Sequence, residues 1–362
     1  MVNLLADPID LTADLVNIYS VSHAEKDIAD TLEIALQKIP NIEVLRHQNS
    51  LVARTSRGFS HRVILAGHVD TVPTADNIPV TRGPDSNGND TLFGCGTVDM
   101  KSGLAVYAHV FATLANDPRL QFDLTLICYE GEEVASEYNG LGLIEKTHPD
   151  WLTGDVALLG EPSGAVIEAG CQGSIRLRVT AHGVRAHSAR AWLGENAMHK
   201  LAPVITNIAQ YQAQEILVDG CLYHEGINIV HCESGVATNT IPDEAWMFVN
   251  FRFAPHRSID EALAHLLEVL DLPEGVDFDV DDAVPAARPG LDQEAVAKLI
   301  DATGGTFRAK YGWTDVARFS ELGIPAVNFG PGDPSFCHKK DEQCPTYMIT
   351  EVATTLMAYL TA

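Results

Sequence analysis

An α/β fold is predicted for this chain: a doubly wound, mostly parallel-sheet domain that carries an inserted ferredoxin-like module of order β-α-β-β-α-β. Three observations predict it. Toward both ends of the sequence, short apolar runs bounded by turn residues alternate with helical patterns. In the middle, the pattern changes to strands of alternating polarity. Residues with metal-ligand chemistry fall just past several of the apolar runs, the edge where open α/β sheets bind their ligands.

Taken in order, Ser22 followed three residues later by Glu25 forms a capping-box pattern, and Ile28, Leu32, Leu36 and Ile39 continue at helical spacing. RVILAGHVD reads as a buried strand ending at His68. The glycines of FGCGTVDMKSG form a loop, and KSGLAVYAHVFATLAN then reads as a helix. FDLTLICYE, DVALLGE and IPAVNFG are three more apolar runs. In the middle, SIRLRVTA, GINIVHCESG and AWMFVNFRF read as strands, and ENAMHKLAPVITNIAQY and SIDEALAHLLEVL as helices. VDFDVDD closes that unit as an edge strand, and DDAVPAARPG is the return linker. The expected division is residues 1–174 with 285–362 for the outer domain and 175–284 for the insert.

Bulk properties narrow the function. With 362 residues and 46% hydrophobic content the chain is long enough for one large or two moderate domains. The formal charge of −25 argues against nucleic acid or an anionic membrane as partner, since either needs basic patches. No apolar run approaches the roughly 18 residues of a bilayer span, and MVNLLADPIDLTADL is acidic rather than signal-like. The seven cysteines are odd in number and show no CxxC pair, which points to reduced thiols and a cytoplasmic setting. Cys337, beside His338, reads more simply as a small apolar filler than as a thiolate ligand.

Five residues carry metal-ligand chemistry: His68, Asp99, Glu133, Glu161 and His338. Two imidazoles and three carboxylates form a mixed N/O set that suits a pair of zinc-like divalent ions. Glu132 is a further carboxylate beside a ligand, the position of a general base in a metallohydrolase. Strand alternation puts Asp70 on the same side as His68, so Asp70 is expected to accept from the imidazole. Asp99 lies in the loop entering a helix, where backbone N–H groups favour a carboxylate. Singly, each residue has a plainer reading: Asp99 as a helix cap, Glu132 and Glu133 as a solvated helix start. Their joint occurrence at one edge of one sheet favours the metal site.

The runs HVDTVP, GCGTVDMKSG, YEGEE, GEPS and the late G-P-G-D-P with His338 resemble the dinuclear-zinc M20 family of aminoacylases and amidohydrolases, over essentially the whole chain. Within that family, GEPSGAVIEAGCQGS, RAHSARAWLGENA and GWTDVARFSELGIPAVNFGPGDP are most similar to the actinobacterial succinyl-diaminopimelate desuccinylases. The resemblance implies one zinc on His68 and Glu161 and another on Glu133 and His338. Asp99 and a water or hydroxide would bridge them, and cobalt or manganese could replace zinc at one site. It also implies a cis peptide between Asp99 and Met100.

For the insert, the resemblance implies a dimerisation lid, hence a homodimer, with His187 reaching the partner's active site. Asn239 and Arg252 would bind the carboxylate end of a small N-acyl amino acid. Thr314 would line the acyl pocket, and Gly332 would contact substrate. The implied reaction is hydrolysis of N-succinyl-LL-2,6-diaminopimelate, with an acetylornithine deacetylase, another acyl-amino-acid hydrolase or a peptidase of the same family as alternatives. A non-catalytic metal binder would have no need of Glu132. Two departures stand out. Gram-negative relatives carry two arginines where this chain has Cys171 and Gln172, and Arg176, Arg178, Arg185 and Arg190 are the candidate replacements. Many relatives also have proline where Ala191 stands.

Overall fold

The computed structural model describes residues 2–291 and 294–362. The chain divides into two units. Unit 1 comprises Met1–Ala169, Gly290–Arg308 and Thr314–Ala362, and unit 2 comprises Gly170–Pro289 with Ala309–Trp313. The second of these extends five residues beyond the sequence-derived interval on each side and takes in a short later segment. In that segment, the Trp313 indole donates to Pro285 O at 3.1 Å and Tyr311 packs edge-on against His224.

Unit 1 is built on a sheet whose central strands are Asp123–Tyr129, Arg62–His68, Val156–Leu159 and Ala326–Asn328, in that order and all parallel. Ser50–Thr55 and Ile42–His47 extend it antiparallel on one side, and Ile167–Ala169 on the other. Every residue of Asp123–Tyr129 is buried, as expected of a strand covered on both faces, and this accounts for its unbroken apolar run. The helix Lys101–Leu114 is buried almost all round, because it packs on Pro8–Val16 and Thr346–Thr361 as well as on the sheet. Its Gly103 is required by close approach: a Cβ there would lie 1.8 Å from Gly160 O. That contact brings the helix following Asp99 against the turn preceding Glu161.

Unit 2 contains an antiparallel sheet in the order Gly226–Ser234, Glu244–Phe253, Gly173–His182, Val276–Val284. With the helices Ala197–Gln210 and Ile259–Leu270 interposed, this is the ferredoxin-like order expected from the sequence. Alternation decides the faces. Ile175, Leu177, Val179, Met247, Val249 and Phe251 enter one core with Leu201, Val204 and Leu266 of the helices. The intervening Arg176 and Arg178 face the aromatic side chains of Phe248 and Trp246 on the other side. Val276–Val284 is an edge strand, as read. Its row of aspartates discourages edge-to-edge pairing.

One local expectation is overturned. Ser22 and Glu25 do not form a capping box, and the helix begins at Lys26 and ends at Leu36, short of Ile39. His23 turns the chain with φ +74°, so the Glu25 carboxylate accepts from His23 N–H, and the Ser22 hydroxyl donates to Asp70 instead. A true capping box lies at Ser258 and Glu261, unnoticed in the sequence. Among the described residues no helix is long and apolar enough to cross a membrane.

Candidate metal centre

All five proposed ligands belong to unit 1. His68 ends its strand and is paired with Tyr129, and the chain beyond Tyr129 turns through Gly131 to present Glu132 and Glu133. Glu161 follows Leu159 of the next strand. His338, at φ +61°, lies in the loop after Asn328. Parallel strands ending at one edge thus deliver side chains from distant parts of the sequence to one place.

The geometry is that of a divided cluster. His68 Nε2 lies 3.1 Å from Asp99 Oδ1 and 4.0 Å from Glu161 Oε1. His338 Nε2 lies 3.0 Å from Glu133 Oε2 and 3.4 Å from Asp99 Oδ2. The two oxygens of one carboxylate therefore face two different imidazoles. Within each trio, His68–Asp99–Glu161 and Asp99–Glu133–His338, the ligand atoms all lie within 4.8 Å of one another. A tetrahedral ion with bonds of about 2.0–2.1 Å places its ligands roughly 3.3 Å apart, so this donor set fits two such ions sharing Asp99. A third grouping, His68 with Glu132 and Glu133, puts Glu132 beside the ligands.

Charge follows the same division. Burial would raise Asp99, but hydrogen bonds from His338 and His68 hold it well below the usual carboxylate range. Hydrogen bonds to Asp99 and Glu133 push His338 up to about 10 against the effect of burial. For His68, burial favours the neutral ring, yet Asp70 and Asp99 outweigh it and hold the imidazole well above its ordinary value. An ion binds imidazole and carboxylate only in their deprotonated forms, so its affinity for this donor set is pH-dependent. Glu132 is raised well above the ordinary glutamate value by desolvation and by Glu161, Asp315 and Glu133, with His68 opposing. A raised carboxyl suits proton transfer near neutral pH.

Asp70 meets the His68 imidazole through both its carboxylate and its backbone carbonyl. His68 Nδ1 donates to the backbone carbonyl of Asp70 at 3.0 Å, whereas Oδ1 of its side chain is 3.5 Å away. A carbonyl can only accept, which fixes the proton on Nδ1 of the neutral ring and leaves Nε2 open for an ion. The Asp70 carboxylate also accepts from the backbone N–H groups of Glu132 and Glu133, both at 3.1 Å, and from Ser22 at 2.7 Å. Asp70 thereby holds the turn that carries both glutamates.

Two N–H groups of the loop entering the helix are taken by another acid rather than by the Asp99 carboxylate. Those of Val98 and Asp99 donate to Glu342, an acid the sequence reading missed. Burial raises Glu342 to about 7, with the N–H groups opposing. No periodicity or motif marks it. The Asp99–Met100 peptide is cis, as the resemblance implied. Ser163 was also missed: its hydroxyl donates to Gly330 O and accepts from Gly330 N, joining the loop after Glu161 to the loop before His338.

The remaining candidates are dispersed. Thr314 is buried in unit 1, and its hydroxyl donates to Asn328 at 3.0 Å. Gly332 has φ +87°, and a Cβ there would lie 2.9 Å from Val98 Cγ2, so only glycine fits beside the Asp99 loop. His187, Asn239 and Arg252 belong to unit 2 and are exposed. His187 pairs with Thr240, and Ser188 N–H donates to Asn239 O, which brings His187 and Asn239 to one spot. Arg252 stands on the sheet opposite Ser174. Where relatives carry two arginines, Cys171 exchanges backbone hydrogen bonds with Ala287, and Gln172 donates to His224 O. Arg176 and Arg185 are paired with Asp281 and Asp243, and Arg178 stacks on Trp246. Arg190 is exposed and makes no ion pair among the described residues.

The sequence profile of peptidase family M20/M25/M40 matches residues 64–362. A succinyl-diaminopimelate desuccinylase of Corynebacterium glutamicum is 59% identical, over 99% of this chain and 97% of that protein. A putative succinyl-diaminopimelate desuccinylase of Mycobacterium tuberculosis is 50% identical, over 99% of each. Among solved structures, aminopeptidase PepT of Bacillus cereus superimposes with a TM-score of 0.78 at 18% identity, covering 98% of this chain and 97% of its own. The YXEP protein of Bacillus subtilis, described as a dinuclear metal-binding peptidase, gives 0.70 at 14% identity, covering 99% and 98%.

Proposed function

The chain belongs to peptidase family M20/M25/M40, and from that membership and the site's geometry we infer that it hydrolyses N-succinyl-LL-2,6-diaminopimelate to succinate and LL-2,6-diaminopimelate. It is a metal-dependent amidohydrolase of diaminopimelate and lysine biosynthesis. The observation that carries the chemistry is the Asp99 carboxylate, with one oxygen toward His68 and the other toward His338. We assign one zinc ion to His68 and Glu161, a second to Glu133 and His338, and Asp99 to both. When bound, such ions acidify water and polarise the amide carbonyl.

The chain's own groups manage the proton and the charge. Glu132 takes a proton from the attacking water on a carboxylate oxygen as the new C–O bond forms. It then gives that proton to the amide nitrogen as the C–N bond breaks. Its backbone N–H, bound by Asp70, holds it in reach. His187, supplied by a second copy of the chain, donates to the developing oxyanion. Arg252, Asn239 and Arg190 receive the carboxylates of the diaminopimelate end. Thr314 and Gly332 lie on the acyl side. These local cations answer the long-range repulsion that a −25 protein exerts on an anionic substrate.

The test is amine release from N-succinyl-LL-diaminopimelate and from N-acetylornithine, side by side, with zinc-loaded protein. A strong preference for the succinyl compound is expected. Preference for the acetyl compound would keep the mechanism and overturn the substrate.

A further inference from the structure

Glu342 is 2% exposed and takes no part in the proton transfers assigned above. Burying a carboxylate is costly unless N–H groups satisfy it. The groups that satisfy this one belong to the loop that bears the shared ligand. Its Oε1 accepts from Val98 N–H at 2.9 Å and from Asp99 N–H at 3.1 Å. Its backbone carbonyl accepts from Gly94 N–H at 3.0 Å. Both ends of the 94–99 loop therefore close on a single residue.

The surroundings make that grip firm. The residues after Glu342, Gln343–Pro345, pair with Asp90–Phe93, the strand that leads into the loop. The residues before it carry His338, and Glu342 N–H donates to Lys339 O at 3.2 Å. On the other side of Asp99, the fully buried Lys101 is tied through its ammonium to Ile18 O at 2.8 Å. Once its N–H is held, the Asp99 side chain has only two rotatable bonds with which to leave the midpoint between the two imidazoles. One short segment, 338–342, thus supplies an imidazole ligand and also fixes the backbone of the shared carboxylate.

We propose that Glu342 is a positioning residue: by holding the Val98 and Asp99 N–H groups it sets the shared carboxylate between the two ion sites and couples that carboxylate to the His338 segment. The inference rests on the reading of Asp99 as the bridging ligand. It depends on the reach of the side chain rather than on its charge. Glu342→Gln keeps the reach and one acceptor oxygen but loses the charge. Glu342→Asp keeps the charge but draws the oxygen back by one methylene.

The experiment titrates zinc and, separately, cobalt(II) into chelator-treated full-length protein of wild type and both variants. Calorimetry gives affinity, the cobalt visible spectrum gives ligand geometry, and melting of the metal-free protein reports folding. Wild type should bind two equivalents. Glu342→Gln should stay within a few-fold of it, with a similar cobalt spectrum. Glu342→Asp should weaken one equivalent by about 10–100-fold, change the cobalt spectrum and lower kcat more than it changes KM. Wild-type metal binding by Glu342→Asp would overturn the proposal. So would Glu342→Gln binding as weakly as Glu342→Asp or more weakly, which would indicate a role for charge, or lowered metal-free melting with metal affinity untouched, which would indicate a structural role only. Failure of wild type to bind two equivalents would instead remove the bridging reading of Asp99.

Discussion

The parallel strands of unit 1 lead to a cluster in which buried His68, half-buried Asp99 and exposed His338 displace one another's pKa values, whereas unit 2 leaves Arg252 exposed on its antiparallel sheet and His187, Asn239 and Arg190 exposed on short segments outside that sheet. The difference follows from topology. Parallel strands all finish at one edge, so residues far apart in sequence meet there, and the covering helices exclude water and strengthen each interaction. An antiparallel sheet sends half its side chains to a helix-covered core and half outward, which solvates Arg252, while His187, Asn239 and Arg190 are solvated on short turns and strand ends outside that sheet. Unit 1 is therefore built to hold charge in fixed geometry, and unit 2 to present contacts.

That contrast is open to direct attack. The largest effect is expected at Glu132, where Glu132→Gln should retain bound zinc yet lower kcat by about 10²–10⁴. Near-normal turnover at full metal content would move the general base elsewhere. In unit 2, His187→Ala should lower kcat by about 10²–10³ without changing metal content. Mixed with Glu132→Gln protein under conditions of subunit exchange, it should regain activity, because one site of the hybrid then has both groups. Hybrids without recovered activity would show that His187 does not act across subunits.

A structural acid should behave unlike the functional ones. Burial would raise Asp123, but it is lowered by the Arg57 N–H, the Thr55 hydroxyl, the Arg62 charge and the Gly58 N–H. A depressed folded-state value stabilises the protein above the unfolded value of about 3.9, and that contribution is lost as pH falls through the folded value. Asp123→Asn should therefore cost about 1.5–3 kcal/mol near neutral pH and less in acid, with metal content unchanged. Denaturant unfolding across pH would check it, and a pH-independent loss would contradict the sign. The smallest effect is expected at Ser258→Ala, which breaks the capping box of Ile259–Leu270 in unit 2. It should cost about 1 kcal/mol and leave kcat as it was.

How much was legible in the sequence follows the same contrast. His68, Glu133, Glu161 and His338 could be read because they come after apolar runs whose burial leaves an unbroken signature, and Asp99 because it stands in a glycine-rich loop entering a helix. Unit 2 could be read as a topology, since alternation marks its strands, but the pairing of Ala186–His187 with Thr240–Ile241 involves segments too short to show a period. The groups that hold the ligands were hidden for a different reason. Glu342 and the carbonyl of Asp70 act on or through the backbone, and a backbone hydrogen bond leaves no residue-type pattern. Ser22 and Glu25 misled because a capping box needs a helical turn between them, and His23 turns the other way.

The measurement that tests the account most directly is a metal titration of chelator-treated protein, followed by amine release from N-succinyl-LL-diaminopimelate. The account predicts no activity without metal and full activity only when two equivalents of zinc are bound. Turnover in the metal-free protein, or saturation of activity with no metal taken up by the His68–Asp99–His338 cluster, would contradict it.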